Sequence, residues 1–202
     1  MSRIVAIPVK PFGVAKRRLS GALDPAQRQT LSVELARRTA RAAIDAGAAP
    51  LILSADDAVS EWATNQGYDV LLDEGSSLDE AAHSATVFAD SEPWLFCHAD
   101  LPLLRSDDLE RAMALMSDGA WVLAPSSDGG TSLIGGVGQF DFAFGPESFH
   151  RHLARLADRA VNVLTSLGTC LLYTSPSPRD ATSHLVCRLL LEKVGGGGGG
   201  GG

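Results

Sequence analysis

Four cationic side chains crowd into nine residues near the start of the chain: Lys10, Lys16, Arg17 and Arg18, within PVKPFGVAKRRL. A triphosphate needs such charge, because transfer at phosphorus is catalysed mostly by positioning and by offsetting developing negative charge. The stretch carries no G-x-x-x-x-G-K-[ST] pattern, so it is not a P-loop. In isolation a solvated basic loop would look the same. The second candidate is Asp100, in HADLPLL just past the apolar run PWLFC. A carboxylate there can hold Mg²⁺ between phosphate oxygens, or simply serve a turn or a helix cap. Third is APSSDGGT, residues 124–131, where Gly129 and Gly130 permit close backbone approach and Thr131 offers a hydroxyl. The alternative is an ordinary hairpin or crossover turn. Fourth is FGPESFH, residues 144–150, where Gly145, Pro146 and Ser148 at a helix start can present N–H groups and a hydroxyl to an anion. A plain helix start would read alike.

Other chemistry is thin. His150 and His152 lie two residues apart, about 200° around a helix, so they cannot face one metal. His98, beside Cys97, reads as a packed or turn histidine. Trp62, Trp94 and Trp121 read as core or half-buried positions. No Ser–His–Asp or Cys–His arrangement is legible, and no covalent enzyme intermediate is called for.

The elements that must position these loops alternate. Residues 3–9, 50–54, 68–72, 93–97 and 120–124 are short apolar runs of the kind buried parallel strands show. Between them fall helical patterns. Asp24-Pro25-Ala26-Gln27 supplies a cap, a proline at the first helical position and a glutamine three residues after the cap. Leu31, Leu35, Ala42 and Ala46 fall within about 60° of one another, an apolar face, and Gly47 can end the helix in the left-handed conformation. Further helices are expected over residues 58–66 and 78–89, from Ser106 as cap with Asp107 and Asp108 behind it, and over 147–156. Residues 132–137 and 139–144 are expected to form a further strand pair. This is an α/β pattern: a three-layer, mainly parallel sheet covered on both faces. Ligands of such sheets bind beyond the carboxyl ends of the strands, so the loops after Val9, Leu72, Cys97 and Ala124 are the places to look.

The carboxyl-terminal stretch is set apart. CLLYTSPSPRD, residues 170–180, back-translates to the mosaic end and primer site of short-read sequencing libraries. LVCRLLLEK, residues 185–193, fits the flow-cell adapter in the same frame, and residues 195–202 are all glycine. Residues 170–202 are therefore expected to be translated adapter and residues 1–169 a single domain, large enough for a proper core. Without the tail's Arg179, Arg188, Lys193, Asp180 and Glu192, the 17 basic and 24 acidic residues become 14 and 22, net −8. An acidic chain is a poor candidate for nucleic-acid backbone, though a few local cations suffice for one nucleotide. Only Cys97 remains outside the tail, which excludes a disulfide framework or a cysteine zinc site. No signal peptide and no apolar run near the roughly 20 residues of a membrane span are visible, so a cytoplasmic protein without membrane partner is expected.

Taken together, IPVKP…AKRRL, Leu78-Asp79, DLPLL, PSSDGGTS and FGPESFHRH resemble, in order, the motifs of the 2-phospho-L-lactate or phosphoenolpyruvate guanylyltransferase family of deazaflavin coenzyme F-420 biosynthesis. The resemblance covers residues 3–169. Asp79 stands where the family has Asn, and Ser132 replaces Asn after Thr131. The resemblance implies a nucleotide-diphospho-sugar-transferase-like (nucleotidyltransferase) fold that joins GMP from GTP to a small phospho-carboxylic acid and releases pyrophosphate. Pro8, Lys10, Lys16, Arg18, Leu78 and Asp79 would bind the nucleotide, with Lys10, Lys16 and Asp100 catalytic. Asp100 would hold Mg²⁺, and Thr131, Gly145 and Ser148 would bind the acceptor. A homodimer is allowed for. The family's second acidic cluster, D-x-D-T-x-x-D-L, would follow VNVLTSLGT (161–169) and has no counterpart here, so the 202-residue chain is expected to turn over little or not at all. The rivals are a molybdopterin or sugar-phosphate nucleotidyltransferase, whose glycine-rich G-G-x-S/G-x-R-M-G-like opening is absent, and a non-catalytic nucleotide-binding module.

Overall fold

The structure, a computed structural model, describes residues 3–14, 16, 19–72 and 77–170. Seven strands make one sheet: β1 Ile4–Pro8, β2 Ala49–Ser54, β3 Asp69–Leu72, β4 Trp94–Cys97, β5 Trp121–Pro125, β6 Thr131–Gly136 and β7 Val161–Val163. Among the described residues six α-helices accompany them: α1 Pro25–Asp45, α2 Asp57–Asn65, α3 Leu78–Ala89, α4 Ser106–Leu115, α5 Ser148–Arg155 and α6 Leu167–Cys170. The strand order is β3-β2-β1-β4-β6-β5-β7, with β6 antiparallel to both neighbours and every other pairing parallel.

Local chemistry explains the main elements. The Asp24 carboxylate accepts from the Gln27 backbone N–H at 2.8 Å, and the Gln27 side chain accepts from the Asp24 N–H at 2.9 Å. This reciprocal box starts α1, and Gly47, at φ 74°, follows its end as the left-handed residue. Hydrophobic cores lie on both faces of the sheet. One gathers Ala36, Ala40, Val59, Leu109 and Met113 over Ile7, Ile52 and Leu95; the other gathers Ala81, Ala85, Phe140, Phe142 and Phe149 over Leu51, Phe96 and Ile134.

Two expectations need correction. Residues 139–144 form no strand. Their alternating Phe140, Phe142 and Phe144 mimic strand periodicity, but side chains meet their backbone groups instead. Arg155 donates to the Asp141 carbonyl, Arg151 to those of Ala143 and Phe144, and the Phe144 N–H donates to Asp79 at 2.7 Å. Residues 132–137 find their partners in β4 and β5 instead. Ser106 is the first residue of α4 and not its cap; the Asp108 carboxylate accepts from the Arg105 N–H at 3.1 Å. The strand β7 was not expected. Cys170, read as the first tail residue, closes α6 and is buried, and the rest of the adapter reading lies outside the described residues.

Candidate active site

Strand direction decides which loops meet. The chain leaves β1 and β4 at their carboxyl ends into Lys10 and Asp100. A tight hairpin, closed by the Ser126 N–H on the Gly130 carbonyl at 2.9 Å, joins β5 to β6 and forces β6 to run back. Pro125, which has no N–H for the ladder, sits where the β5–β6 register shifts. Because β6 is inverted, its first residue, Thr131, lies at the same sheet edge as the carboxyl end of β4, and the His98 N–H donates to the Ser132 carbonyl at 3.1 Å.

The loop after β4 is pinned by burial. Leu101 and Leu104 are 0 % and 2 % exposed, and burying each such side chain stabilises by about 2 kcal/mol. Between them and the strand, Asp100 receives the Lys16 ammonium: Nζ to Oδ2 is 2.8 Å, with the side chains 14 % and 34 % exposed. Lys16 holds φ 57°, a left-handed conformation that costs an L-residue roughly 1–2 kcal/mol. Its carbonyl accepts from the Leu19 N–H at 2.9 Å, which helps fix the strained turn. The two residues are 84 apart in sequence and belong to different loops.

Around this pair the charges are mixed. Burial pushes the Asp100 carboxyl up, but Lys16 and then His98 outweigh it, and the carboxyl lies below its ordinary value. His98 is held below the usual histidine range, by burial first, with Lys10 and Lys16 adding and Asp100 and Asp128 opposing. Lys10, Lys16, His98, Asp100 and Asp128 therefore share one electrostatic neighbourhood. His98 is also packed as expected, its ring edge-on to Phe96 and Phe144 at 5.7 and 5.5 Å. Asp128 is tied to its own turn, accepting from the Ser126 hydroxyl and the Gly130 N–H.

Beside it lies a second cluster. The Thr131 N–H donates to Ser148 Oγ at 2.9 Å, and Ser148 Oγ lies 3.3 Å from Thr131 Oγ1. His152 Nδ1 is 2.9 Å from Thr131 Oγ1, and His152 Nε2 accepts from the Ala143 N–H at 2.9 Å. Ser148 stands at the start of α5, and exposed Gly145, at φ 111°, occupies the turn before it. Burial first, then Arg155 and Arg151, hold His152 down at about 4, against Asp141. Gly130 is needed where it stands: a Cβ would come within 2.7 Å of Ser126 Oγ.

The remaining expected residues fall as follows. Pro8 ends β1 and Lys10 is exposed two residues on. Leu78 and Asp79 form the first turn of α3, with one Asp79 oxygen engaged by Phe144. Arg18 lies outside the described residues. His152 went unread as a site residue, although its i+4 spacing from Ser148 puts both on one face of α5. Among the described residues no group of three or more His, Cys, Asp or Glu could hold a metal, and no helix is long and apolar enough to cross a membrane. A single carboxylate still suits magnesium, which is commonly bound through one or two carboxylates with substrate phosphates and waters completing its shell.

Known proteins share this frame. The family described as "Guanylyl transferase CofC like" matches residues 3–167. A protein of Roseiflexus castenholzii named phosphoenolpyruvate guanylyltransferase is 34 % identical over 167 residues, 81 % of this chain and 78 % of its own. A Methanothermobacter thermautotrophicus protein named 2-phospho-L-lactate guanylyltransferase is 31 % identical over 175 residues, 81 % of this chain and 75 % of its own. Among solved structures, a putative nucleotide-diphospho-sugar transferase from Desulfovibrio desulfuricans superposes with a TM-score of 0.70 at 17 % identity, over 81 % of this chain and 80 % of that one.

Proposed function

The chain belongs to the CofC-like guanylyl transferase family, and from that premise we propose that it moves the GMP part of GTP onto a small phospho-carboxylic acid, as a step toward deazaflavin coenzyme F-420. The observation that carries this reading is the Lys16–Asp100 pair at 2.8 Å, a cation and a carboxylate from two loops at the carboxyl edge of one sheet.

A phosphate oxygen of the acceptor attacks the α-phosphorus of GTP in line. One P–O bond forms, the bond from the α-phosphorus to the bridging oxygen breaks, and pyrophosphate leaves with that electron pair. Lys10 and Lys16 hold the phosphates and offset their charge. Asp100 would hold Mg²⁺, which would lend charge neutralisation to the phosphate oxygens. Lys16 keeps Asp100 ionised before the nucleotide arrives and then turns to a phosphate. Thr131, Ser148 and Gly145 receive the acceptor, with the Thr131 hydroxyl offering a donor to its anionic groups and Ser148 holding that hydroxyl in place. The relatives' names support phosphoenolpyruvate or 2-phospho-L-lactate as that acceptor, with 3-phosphoglycerate of the same chemical class. The buried free thiol of Cys97 and the charged substrates suit the cytoplasm.

The test offers GTP, ATP and CTP with each phospho-acid, measures binding by calorimetry and reads products by mass spectrometry. GTP binding in preference to the other nucleotides and binding of a phospho-acid beside it are expected, with little or no guanylylated product from the 202-residue chain. Equal binding of all three nucleotides and no phospho-acid bound would overturn it in favour of a general nucleotide-binding module.

A further inference from the structure

We propose that His152 is a positioning residue that commits the Thr131 hydroxyl to donate its proton to the anionic acceptor. This rests on the reading of Thr131 and Ser148 as acceptor ligands and extends it to a residue that touches no substrate.

His152 is fully buried. Its Nε2 accepts from the Ala143 N–H at 2.9 Å, so the neutral ring carries its proton on Nδ1. Nδ1 is 2.9 Å from Thr131 Oγ1 and therefore donates to it. Ser148 Oγ accepts the Thr131 N–H at 2.9 Å and donates its own proton to Thr131 Oγ1 at 3.3 Å. A hydroxyl oxygen has two lone pairs and one proton. Both lone pairs of Thr131 are taken, and among the described residues no side chain or carbonyl accepts its proton. Such a hydroxyl can only donate, which suits carboxylate and phosphate oxygens and penalises a ligand that brings a donor to the same place.

One ring thereby holds one acceptor candidate and lies next to the other two. It holds Thr131 directly. It sits four residues after Ser148 on α5. Through the Ala143 N–H it fixes the segment two residues before Gly145. The surroundings lock the ring: Phe140, Phe142 and Phe144 stand 5.6, 6.1 and 5.0 Å from it. Arg151, Arg155, Asp141 and His98 are the charged or titratable groups acting on it, and the net effect of burial and the two arginines keeps it neutral well below pH 7. A protonated ring would turn a second N–H against that of Ala143.

Two substitutions separate the ring's contacts. In His152→Gln the amide oxygen reaches the place of Nε2 and keeps Ala143, while Thr131 loses its donor. In His152→Asn the amide nitrogen takes the place of Nδ1 and keeps Thr131. Phosphoenolpyruvate is titrated calorimetrically onto the full chain with a non-hydrolysable GTP analogue present. Binding about tenfold weaker in the Gln variant, within about threefold of wild type in the Asn variant, and unchanged GTP-analogue affinity in both are expected. Wild-type phospho-acid affinity in the Gln variant, or equal losses for both ligands, would overturn the proposal. Ser148→Ala is run alongside. If it leaves phospho-acid affinity intact, the acceptor site itself is misread and the proposal falls with it. If it weakens binding and His152→Gln does not, only the positioning role falls. Should the Gln variant fail to fold, nitrogen-15 NMR of the wild-type ring decides: protonation at Nδ1 is expected, and protonation at Nε2 would overturn the assignment.

Discussion

Replacing Asp100 by Asn separates the two jobs given to that carboxylate. In the free protein it is half of an ion pair at 2.8 Å, with side chains 14 % and 34 % exposed. At this exposure solvent screens the attraction, and the net contribution is about 1 kcal/mol. For a domain of this size that is a loss of roughly 2–4 °C in Tm at pH 7. The sign with pH follows from the depressed carboxyl. A group whose folded pKa is lowered stabilises above its unfolded value of about 3.9, and that contribution is lost as pH falls through the folded value. Wild type and Asp100→Asn should therefore differ at neutral pH and converge in acid. With nucleotide the loss should be larger, because under the proposed function the substitution removes a charged ligand of the Mg²⁺–triphosphate complex. At about 1.5–3 kcal/mol for a charged partner, GTP affinity should fall roughly 10- to 100-fold. The same change should abolish the tightening of GTP binding by Mg²⁺, whereas Lys16→Met should weaken GTP and leave that tightening in place. Calorimetry with Mg²⁺ and with a chelator reads both. An Asp100→Asn protein that keeps its full Mg²⁺ response, or that loses several kcal/mol of stability without nucleotide, would refute the reasoning.

Gly136→Ala should destabilise by about 1–3 kcal/mol in a denaturant titration, because its Cβ would lie 2.5 Å from the Trp121 ring, itself wedged against Trp94 and Phe140. Asp79→Ala should free the Phe144 N–H, lower stability by about 1–2 kcal/mol and weaken phospho-acid binding several-fold, while Asp79→Asn keeps an acceptor oxygen and stays near wild type. Thermal melts and calorimetry check this pair. Cys97 is fully buried, with its thiol pushed far up by burial and then by Asp100 and Asp108, so alkylation by iodoacetamide should be negligible until the protein unfolds.

What could be read from the residues was whatever has a local cause. The Asp24–Gln27 box, the left-handed Gly47 and the apolar runs of β1, β2, β4 and β5 are each set by near neighbours in the chain. The reversal of β6 was not legible, since TSLIGG is apolar enough for either direction and only the hairpin at residues 126–130 decides. In residues 139–144 a period of two describes buried phenylalanines as well as a strand; of the groups that replace strand partners, Asp79 lies 65 residues away, and the arginines and His152 belong to the helix that follows. The Lys16–Asp100 meeting followed from both loops leaving parallel strands at one edge, which is a topological inference. His152 is not legible from its spacing to His150, which rules out only a shared metal; its spacing from Ser148 is the informative one.

The most direct measurement is an experimental structure of the chain with Mg²⁺ and a GTP analogue that cannot be cleaved between the α- and β-phosphates. The ion is expected on the Asp100 carboxylate at about 2.0–2.1 Å, with Lys16 Nζ moved from that carboxylate to a phosphate oxygen and Thr131 and Ser148 facing the α-phosphorus. A triphosphate seated away from the loops after β1 and β4, with the Lys16–Asp100 pair intact, would contradict it.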